Sequence, residues 1–421
     1  MDLDIFSDIE SEVRGYIRSF PVIFDRAIGS IMIDQDGTEY IDFFSGAGAL
    51  NYGHNNPIMK TALIEYIEND SISHSLDMAT VAKKRFLETM KRVILEPRGL
   101  DYKLQFTGPT GTNAVEAALK IARLSTGRST VVAFTRAFHG VSGGSLAATA
   151  NQHFRQAAGY TLDNVVFMPF EGYFGPELDT IAYLEQMLSD QSSGLELPAA
   201  VILETIQAEG GVNVASSTWL RALRELCTRH GILLIVDDIQ AGAGRSGEFF
   251  SFEASGIVPD IVTLSKSLSG YGLPMSLVLM KRDLDIWKPG AHSGTFRGNN
   301  MAFVCATTAL ETYWADDALT TDVHRKEAHV RERLEAIAAK YPQAELEVRG
   351  RGFIFGFAST AMPELARTVS KEAFSRGLIV ETAGPSDEVL KMLPALIIDD
   401  ATLTRGLDIL AASFDAAIAK S

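Results

Sequence analysis

Three short apolar runs in this sequence each end in a side chain that can do chemistry. AAVILE (199–204) ends in Glu204, ILLIVDD (232–238) in Asp237 and Asp238, and DIVTLSK (260–266) in Lys266. From 204 to 237 and from 237 to 266 the chain advances 33 and 29 residues, each about one strand–helix–strand unit. In an open parallel sheet, ligands bind beyond the carboxyl ends of the strands, so these groups converge on one rim. Any one of them alone could be an ordinary solvated strand end. A carboxylate and a lysine together make a site.

A lysine desolvated at such a rim has a lowered pKa and favours the neutral amine, which attacks carbonyl carbon. A buried carboxylate beside a heteroaromatic nitrogen keeps that nitrogen protonated, and the two together are what pyridoxal phosphate requires. The phosphate needs a cradle. Gly108-Pro109-Thr110-Gly111-Thr112-Asn113 opens a helix beginning Ala114-Val115-Glu116, where unpaired amides and the helix dipole favour an anion and Thr112 adds a hydroxyl. The plainer reading of that segment is N-capping by Thr112 or Asn113. Phe138-His139-Gly140 follows the run VVAF, and an aromatic face there can stack on a planar ring.

The elements that must hold these groups follow from rhythm. Candidate strands at 131–134, 199–204, 232–238, 260–265 and 277–280 are almost continuously Val, Ile and Leu, the composition of parallel strands buried on both faces. Stretches 113–126 and 216–231 carry apolar residues at helical spacing between them. The expectation is an α/β fold with a mostly parallel sheet and right-handed crossovers. After about residue 310 the rhythm changes to a long charged helix, a Gly-bounded strand pair around 349–357 and a final helix, read as a smaller α+β domain. Two runs bracketing Asp36-Gly37 have a hairpin signature. The division expected is an N-terminal segment of the small domain (1–55), a large cofactor-binding domain (56–310) and the C-terminal part of the small domain (311–421).

Composition removes other classes. The 421 residues are 46% hydrophobic and 22% charged with net charge −15, which disfavours nucleic acid, and no basic run or added DNA-binding module offsets it. No apolar run approaches the roughly 18 residues of a membrane helix, and the acidic start lacks a signal peptide's pattern, so a cytoplasmic protein is expected. Cys227 and Cys305 alone build neither a disulfide framework nor a metal site, and no metal is expected. Two motifs compete. Gly242 to Gly247 fits G-x-G-x-x-G, but EFFSF follows where a dinucleotide site needs a helix. Gly140 to Gly144 fits G-x-S-x-G, which would make Ser142 a hydrolase nucleophile, yet Ser142 lies eight residues past the strand end at Phe134 instead of straight off it.

Six blocks in order, TGPTGTNAVEAALKIAR, FHG, LETIQAEGG, DDIQAGAGRSG, TLSKSLSG and GTFRGNN, resemble class III pyridoxal-phosphate aminotransferases over nearly the whole chain. The resemblance implies a fold-type I enzyme, a homodimer or higher even oligomer with active sites at the subunit interface, acting on small amino acids and aldehydes or keto acids. By the same resemblance Lys266 is the Schiff-base lysine and proton shuttle, Asp237 the partner of the ring nitrogen, and Gln240 the contact to the ring hydroxyl. Gly111 and Thr112 resemble the phosphate grip, Phe138 the stacking ring with His139 beside it, and Thr295 a phosphate contact donated by the other subunit. Glu209 corresponds to an acidic gate over a cation, and Glu204 is read as structural. Further blocks, among them FSGAGALNYGHNNP and DIWKPGAHSGTFRGNN, are similar to members that move the amino group of glutamate onto aspartate 4-semialdehyde, giving L-2,4-diaminobutyrate and 2-oxoglutarate. Ornithine, acetylornithine and 4-aminobutyrate transaminases keep the same cofactor residues and stay open as alternatives.

Two departures concern substrate. Val141 stands where many 2-oxoglutarate users carry Arg, and Lys391 stands where the family has the gated arginine. A lysine is a point charge without the bidentate fork, so carboxylate recognition is expected to be looser or reassigned, with Arg297 and Arg245 as candidates to take it over.

Overall fold

The computed structural model describes residues 3–420. Its centre is a seven-stranded sheet in the order Tyr102–Phe106, Leu277–Lys281, Ile261–Leu264, Leu233–Asp237, Ala200–Leu203, Val131–Phe134, Val165–Met168. Six strands share one direction, and Leu277–Lys281 runs antiparallel to both neighbours. The sheet is mostly parallel as expected, and that one strand is antiparallel for a chain-length reason. It follows Ile261–Leu264 after twelve residues holding only the short helical turn Lys266–Ser269, too little for a crossover that returns the chain to its starting end. Two strands escape the apolar-run reading: Tyr102–Phe106 alternates Lys103 and Gln105 with its apolar residues, and Val165–Met168 lies at the sheet edge.

Helix Gly111–Thr126 packs on the sheet through Ala114, Val115, Ala117, Ala118, Leu119, Ile121 and Ala122, all fully buried. Small side chains there let the helix lie close over the strand ends it serves. Helix Ser217–His230 buries Trp219, Leu220, Leu223 and Leu226 and ends at Gly231, whose left-handed φ of +59° forms its C-cap.

The smaller unit uses both ends of the chain. Phe24–Ile28, Ile31–Asp34 and Glu39–Asp42 form an antiparallel meander, and Leu378–Ile379 adds to it in parallel alongside Glu39–Asp42. A second sheet runs Leu346–Arg351, Ile354–Ser359, Val389–Met392, Glu381–Ala383, antiparallel throughout. Helices Ala318–Lys340, Leu365–Ser375 and Asp400–Ile418 complete it. Among the described residues no helix is long and apolar enough to cross a membrane, and no group of His, Cys, Asp and Glu is arranged to hold a metal.

Candidate active site

Lys266 follows its strand directly and has a φ of +45°, a left-handed conformation uncommon outside glycine. Backbone strain of this kind persists where the surroundings over-determine it, and functional sites are where it collects. Burial pushes the Lys266 amine below the ordinary lysine value, and Glu209 opposes that shift while Lys391 reinforces it. Among the described residues its amine makes no hydrogen bond.

Asp237 is 4% exposed, and its two oxygens have separate partners. Oδ2 lies 2.7 Å from His139 Nδ1, while Oδ1 accepts from the Thr263 hydroxyl at 3.0 Å and the Ile239 amide at 3.2 Å. His139 is pushed toward its charged form by Asp237 although burial works against it. Its other nitrogen, Nε2, is buried without a partner. Asp238 points to the opposite face, as alternation along a strand requires, and accepts from the Ser251 amide at 2.9 Å. Glu204 accepts the Phe138 amide at 2.9 Å, so it fixes the backbone of the Phe138-His139-Gly140 segment. Burial raises its carboxyl to about 7, with Asp237 adding to the rise and His139 opposing it.

The cradle differs from simple capping by Thr112 or Asn113. Thr110 is the N-cap, accepting the Asn113 amide, and Thr112 is left free to pair with the hydroxyls of Ser142 at 2.8 Å and Ser145. A Cβ on Gly111 would stand 3.0 Å from Ile239, and one on Gly140, at φ +130°, would strike Thr112 and Ser145 at 2.7 Å. The helix start is therefore open, rimmed by hydroxyls and closely approached by backbone. Phe138 sits nearby with its ring edge-on to Phe154.

Gln240 donates to Ala47 O at 2.9 Å and Glu209 Oε1 at 3.1 Å, leaving its own Oε1 buried and unpartnered. Glu209 lies at the tip of a hairpin formed by Ile206–Gln207 and Asn213–Val214, and its backbone carbonyl accepts from Gly384. Lys391, fully buried, reaches Glu209 Oε1 at 2.6 Å and Glu381 Oε1 at 3.1 Å. Lys391 holds Glu209 down to about 2, against the burial that would raise it. Burial pushes Glu381 up to about 7 despite the same lysine. The Tyr16 hydroxyl stands 3.4 Å from Glu381 Oε2. Alongside, a cavity of about 750 Å³ is lined by Phe138, Glu209, Arg136, Tyr173 and Ser386, with the Arg136 guanidinium 5.5 Å from the Tyr173 ring centroid.

Several sequence candidates lie elsewhere. Arg245 is corrected: its guanidinium is fully buried and donates to Phe353 O, Pro394 O and Asn51 Oδ1, tying its turn to segments far away in the chain. The glycines around it serve that crossing, since a Cβ on Gly352 would stand 2.2 Å from Ser246 C, and no helix opens after Gly247. Arg297 does not join the Lys266 cluster within this chain. It is bound to Asp77 and to His292 O and lines a separate cavity with Lys83 and Trp287. Thr295 is on the same loop, beside Gly108, to which a Cβ on Gly294 would approach at 3.3 Å. Val141 is 55% exposed. The Ser142 hydroxyl pairs with Thr112 and makes no hydrogen bond to His139 among the described residues, so the serine of the hydrolase reading is not joined to a base.

Sequence reasoning missed Thr263, Arg136, Tyr16 and Glu381. For Glu381 a signal existed, because GLIVE ends an apolar run in a carboxylate just as AAVILE does. The residues present fit pyridoxal phosphate. Lys266 is an amine without a hydrogen bond, Gln240 Oε1 is buried without a partner, Asp237 is a buried carboxylate held by His139 and Thr263, and the helix start at Gly111 is open to an anion.

Comparison with known proteins agrees. The model of the family described as aminotransferase class-III matches residues 14–414. The chain is 67% identical over 413 residues to a diaminobutyrate--2-oxoglutarate transaminase of Bordetella parapertussis, covering 98% of this chain and 95% of the relative. It is 54% identical to one from Halalkalibacterium halodurans, covering 99% and 97%. Among solved structures, an ornithine aminotransferase from Toxoplasma gondii superposes with a TM-score of 0.85 at 26% identity, over 99% of this chain and 94% of that one.

Proposed function

The chain belongs to the class-III aminotransferases, and from that premise we propose that it transfers the amino group of L-glutamate to aspartate 4-semialdehyde, giving L-2,4-diaminobutyrate and 2-oxoglutarate. It is an aminotransferase whose cofactor is pyridoxal phosphate. The observation that carries the reading is Lys266, an amine without a hydrogen bond, facing the Asp237–His139 pair across one rim of the sheet.

Pyridoxal phosphate, when bound, supplies an aldehyde that condenses with amines and a ring that takes up the electron pair left at the substrate carbon. Gly111 and Thr112 would hold its phosphate at the helix start, Phe138 would cover one ring face, and Gln240 Oε1 would accept from its hydroxyl. Asp237 would keep the ring nitrogen protonated, and His139 and Thr263 orient that carboxylate. The Lys266 amine takes the proton from the substrate carbon that bears the amino group and returns it on the other side of the exchange. Arg136, on the cavity wall, is the guanidinium best disposed to meet a substrate carboxylate, taking the part that Val141 does not.

The working unit is a homodimer in the cytoplasm, divided at about residues 55 and 310. Support for the dimer is an apolar surface running through Ile58, Ile64, Ile67, Ile72, Leu76, Met78 and Phe296, all 40% exposed or more, around the loop that carries Thr295. Incubating purified protein with a panel of ω-amino acids and 2-oxoglutarate, with products identified by mass, tests the reaction. Consumption of L-2,4-diaminobutyrate ahead of ornithine, acetylornithine and 4-aminobutyrate is expected; preference for one of the others overturns the substrate.

A further inference from the structure

The serine of the G-x-S-x-G segment is joined to no base, yet the fold carries it to the start of helix Gly111–Thr126. Gly140, at φ +130°, and Gly143, at φ +51°, let the turn 140–144 close tightly on that helix. A Cβ on Gly140 would meet Thr112 Oγ1 at 2.7 Å, and one on Gly143 would meet Glu116 Oε1 at 2.5 Å. Glu116 accepts the Ser145 amide at 3.0 Å, and the Tyr160 hydroxyl accepts the Gly143 amide at 2.8 Å, so the turn is held in place by both. Three hydroxyls, on Thr112, Ser142 and Ser145, are thereby gathered at the first turn of the helix, where backbone amides have no partner within it.

Each hydroxyl has one proton to give, and following the protons tells the three apart. Ser145 spends its own on the Ser142 carbonyl, at 2.5 Å. The close contact between Thr112 and Ser145 then uses the Thr112 proton, because a hydrogen must lie between the two oxygens. Ser145 is fully buried, which shields that pair from exchange with water. Ser142 is exposed, and its proton has one outlet among the described residues, the neutral Thr112 oxygen at 2.8 Å. Resting on the cofactor assigned above and not on the substrate, we infer that Ser142 supplies the hydroxyl that holds the cofactor's phosphate. Gly111 and Thr112 supply amides, and the Thr112 side chain keeps Ser142 in place. Ser142 can turn its proton from a neutral oxygen to a charged one, which is the stronger acceptor, whereas Thr112 has no proton left to offer.

The test uses full-length holoenzyme freed of its cofactor and titrated with pyridoxal phosphate and with pyridoxal, which has the same ring and aldehyde without the phosphate. Visible absorbance of the bound ligand gives the affinity. Ser142→Ala is expected to weaken pyridoxal phosphate by about 10- to 100-fold, the range of a hydrogen bond to a charged group, and pyridoxal by less than about twofold. Ser142→Thr, which keeps the hydroxyl, should retain most of the affinity, and Thr112→Val should cost less than Ser142→Ala. Unchanged pyridoxal phosphate affinity in Ser142→Ala overturns the inference, and so do equal losses on the two ligands, which would make Ser142 a support of the turn alone. A larger loss in Thr112→Val than in Ser142→Ala would return the phosphate hydroxyl to Thr112. All three results leave the proposed reaction standing, which fails separately if the unsubstituted enzyme forms no diaminobutyrate from glutamate and aspartate 4-semialdehyde.

Discussion

The two walls of the site are built on opposite plans. The wall around Asp237 draws Glu204, Asp237 and Thr263 from adjacent parallel strands and His139 from the segment after a fourth, all within the central sheet. The wall around Lys391 gathers Tyr16, Glu209, Glu381 and Lys391 from a terminal helix, a hairpin tip and two strands of another sheet. In the first, each carboxylate is fixed by amide or hydroxyl donors as well as by charge. In the second, a single ammonium is the main support of two acids. The difference is that of carboxylates fixed by several directed donors and carboxylates held chiefly by one shared ammonium.

Three substitutions can break or sharpen that contrast. The largest effect belongs to the rigid wall. Asp237→Asn should lower kcat by roughly 10²- to 10⁴-fold, the usual cost of losing a positioned acid–base group, with little change in the affinity for amino donors. Steady-state kinetics with glutamate would read it, and an unchanged kcat would move the ring partner away from Asp237.

On the second wall, Lys391→Met leaves Glu209 and Glu381 without the ammonium that pairs with both. Breaking a buried pair in this way should cost about 3–5 kcal/mol at pH 8, measured by denaturant unfolding, with partial recovery at pH 5 as a carboxylate takes up a proton. A silent substitution would mean that the two walls are not differently supported.

The smallest effect concerns Glu204. Its carboxyl is raised by burial to about 7 from an ordinary 4.5, so the folded state holds that proton more tightly than the unfolded chain does. The stabilisation is complete below the unfolded value and is lost as pH rises through about 7. Asp238 and Glu381, also raised to about 7, add to the same slope. The Tm of cofactor-free protein should therefore fall between pH 5 and pH 8, and Glu204→Gln should flatten that fall while keeping the bond to the Phe138 amide. An equal slope in the variant would show that Glu204 is ionised throughout.

Most of the first wall was legible in the sequence. Glu204 and Asp237 end continuous apolar runs and Lys266 follows a largely apolar one, and such a run is itself the physical cause of a buried strand. Thr112 was legible as a helix-start residue, although the cap proved to be Thr110 and the hydroxyl was freed for other partners. The second wall was read only at Glu209 and Lys391. Arg245 was misread because a charged side chain in a glycine-rich turn looks exposed until the residues that bury it, Phe353 and Pro394, arrive from more than 100 positions away.

Sequence by itself determined the strands, the order of their reactive ends and the helix start that opens above them, because each depends on local pattern and on spacing of about one βαβ unit. Tertiary structure alone decided that Glu381 stands opposite Lys391 and that Tyr16 closes over it. Antiparallel register and the return of a chain terminus are fixed by packing among distant segments, so no local pattern carries them.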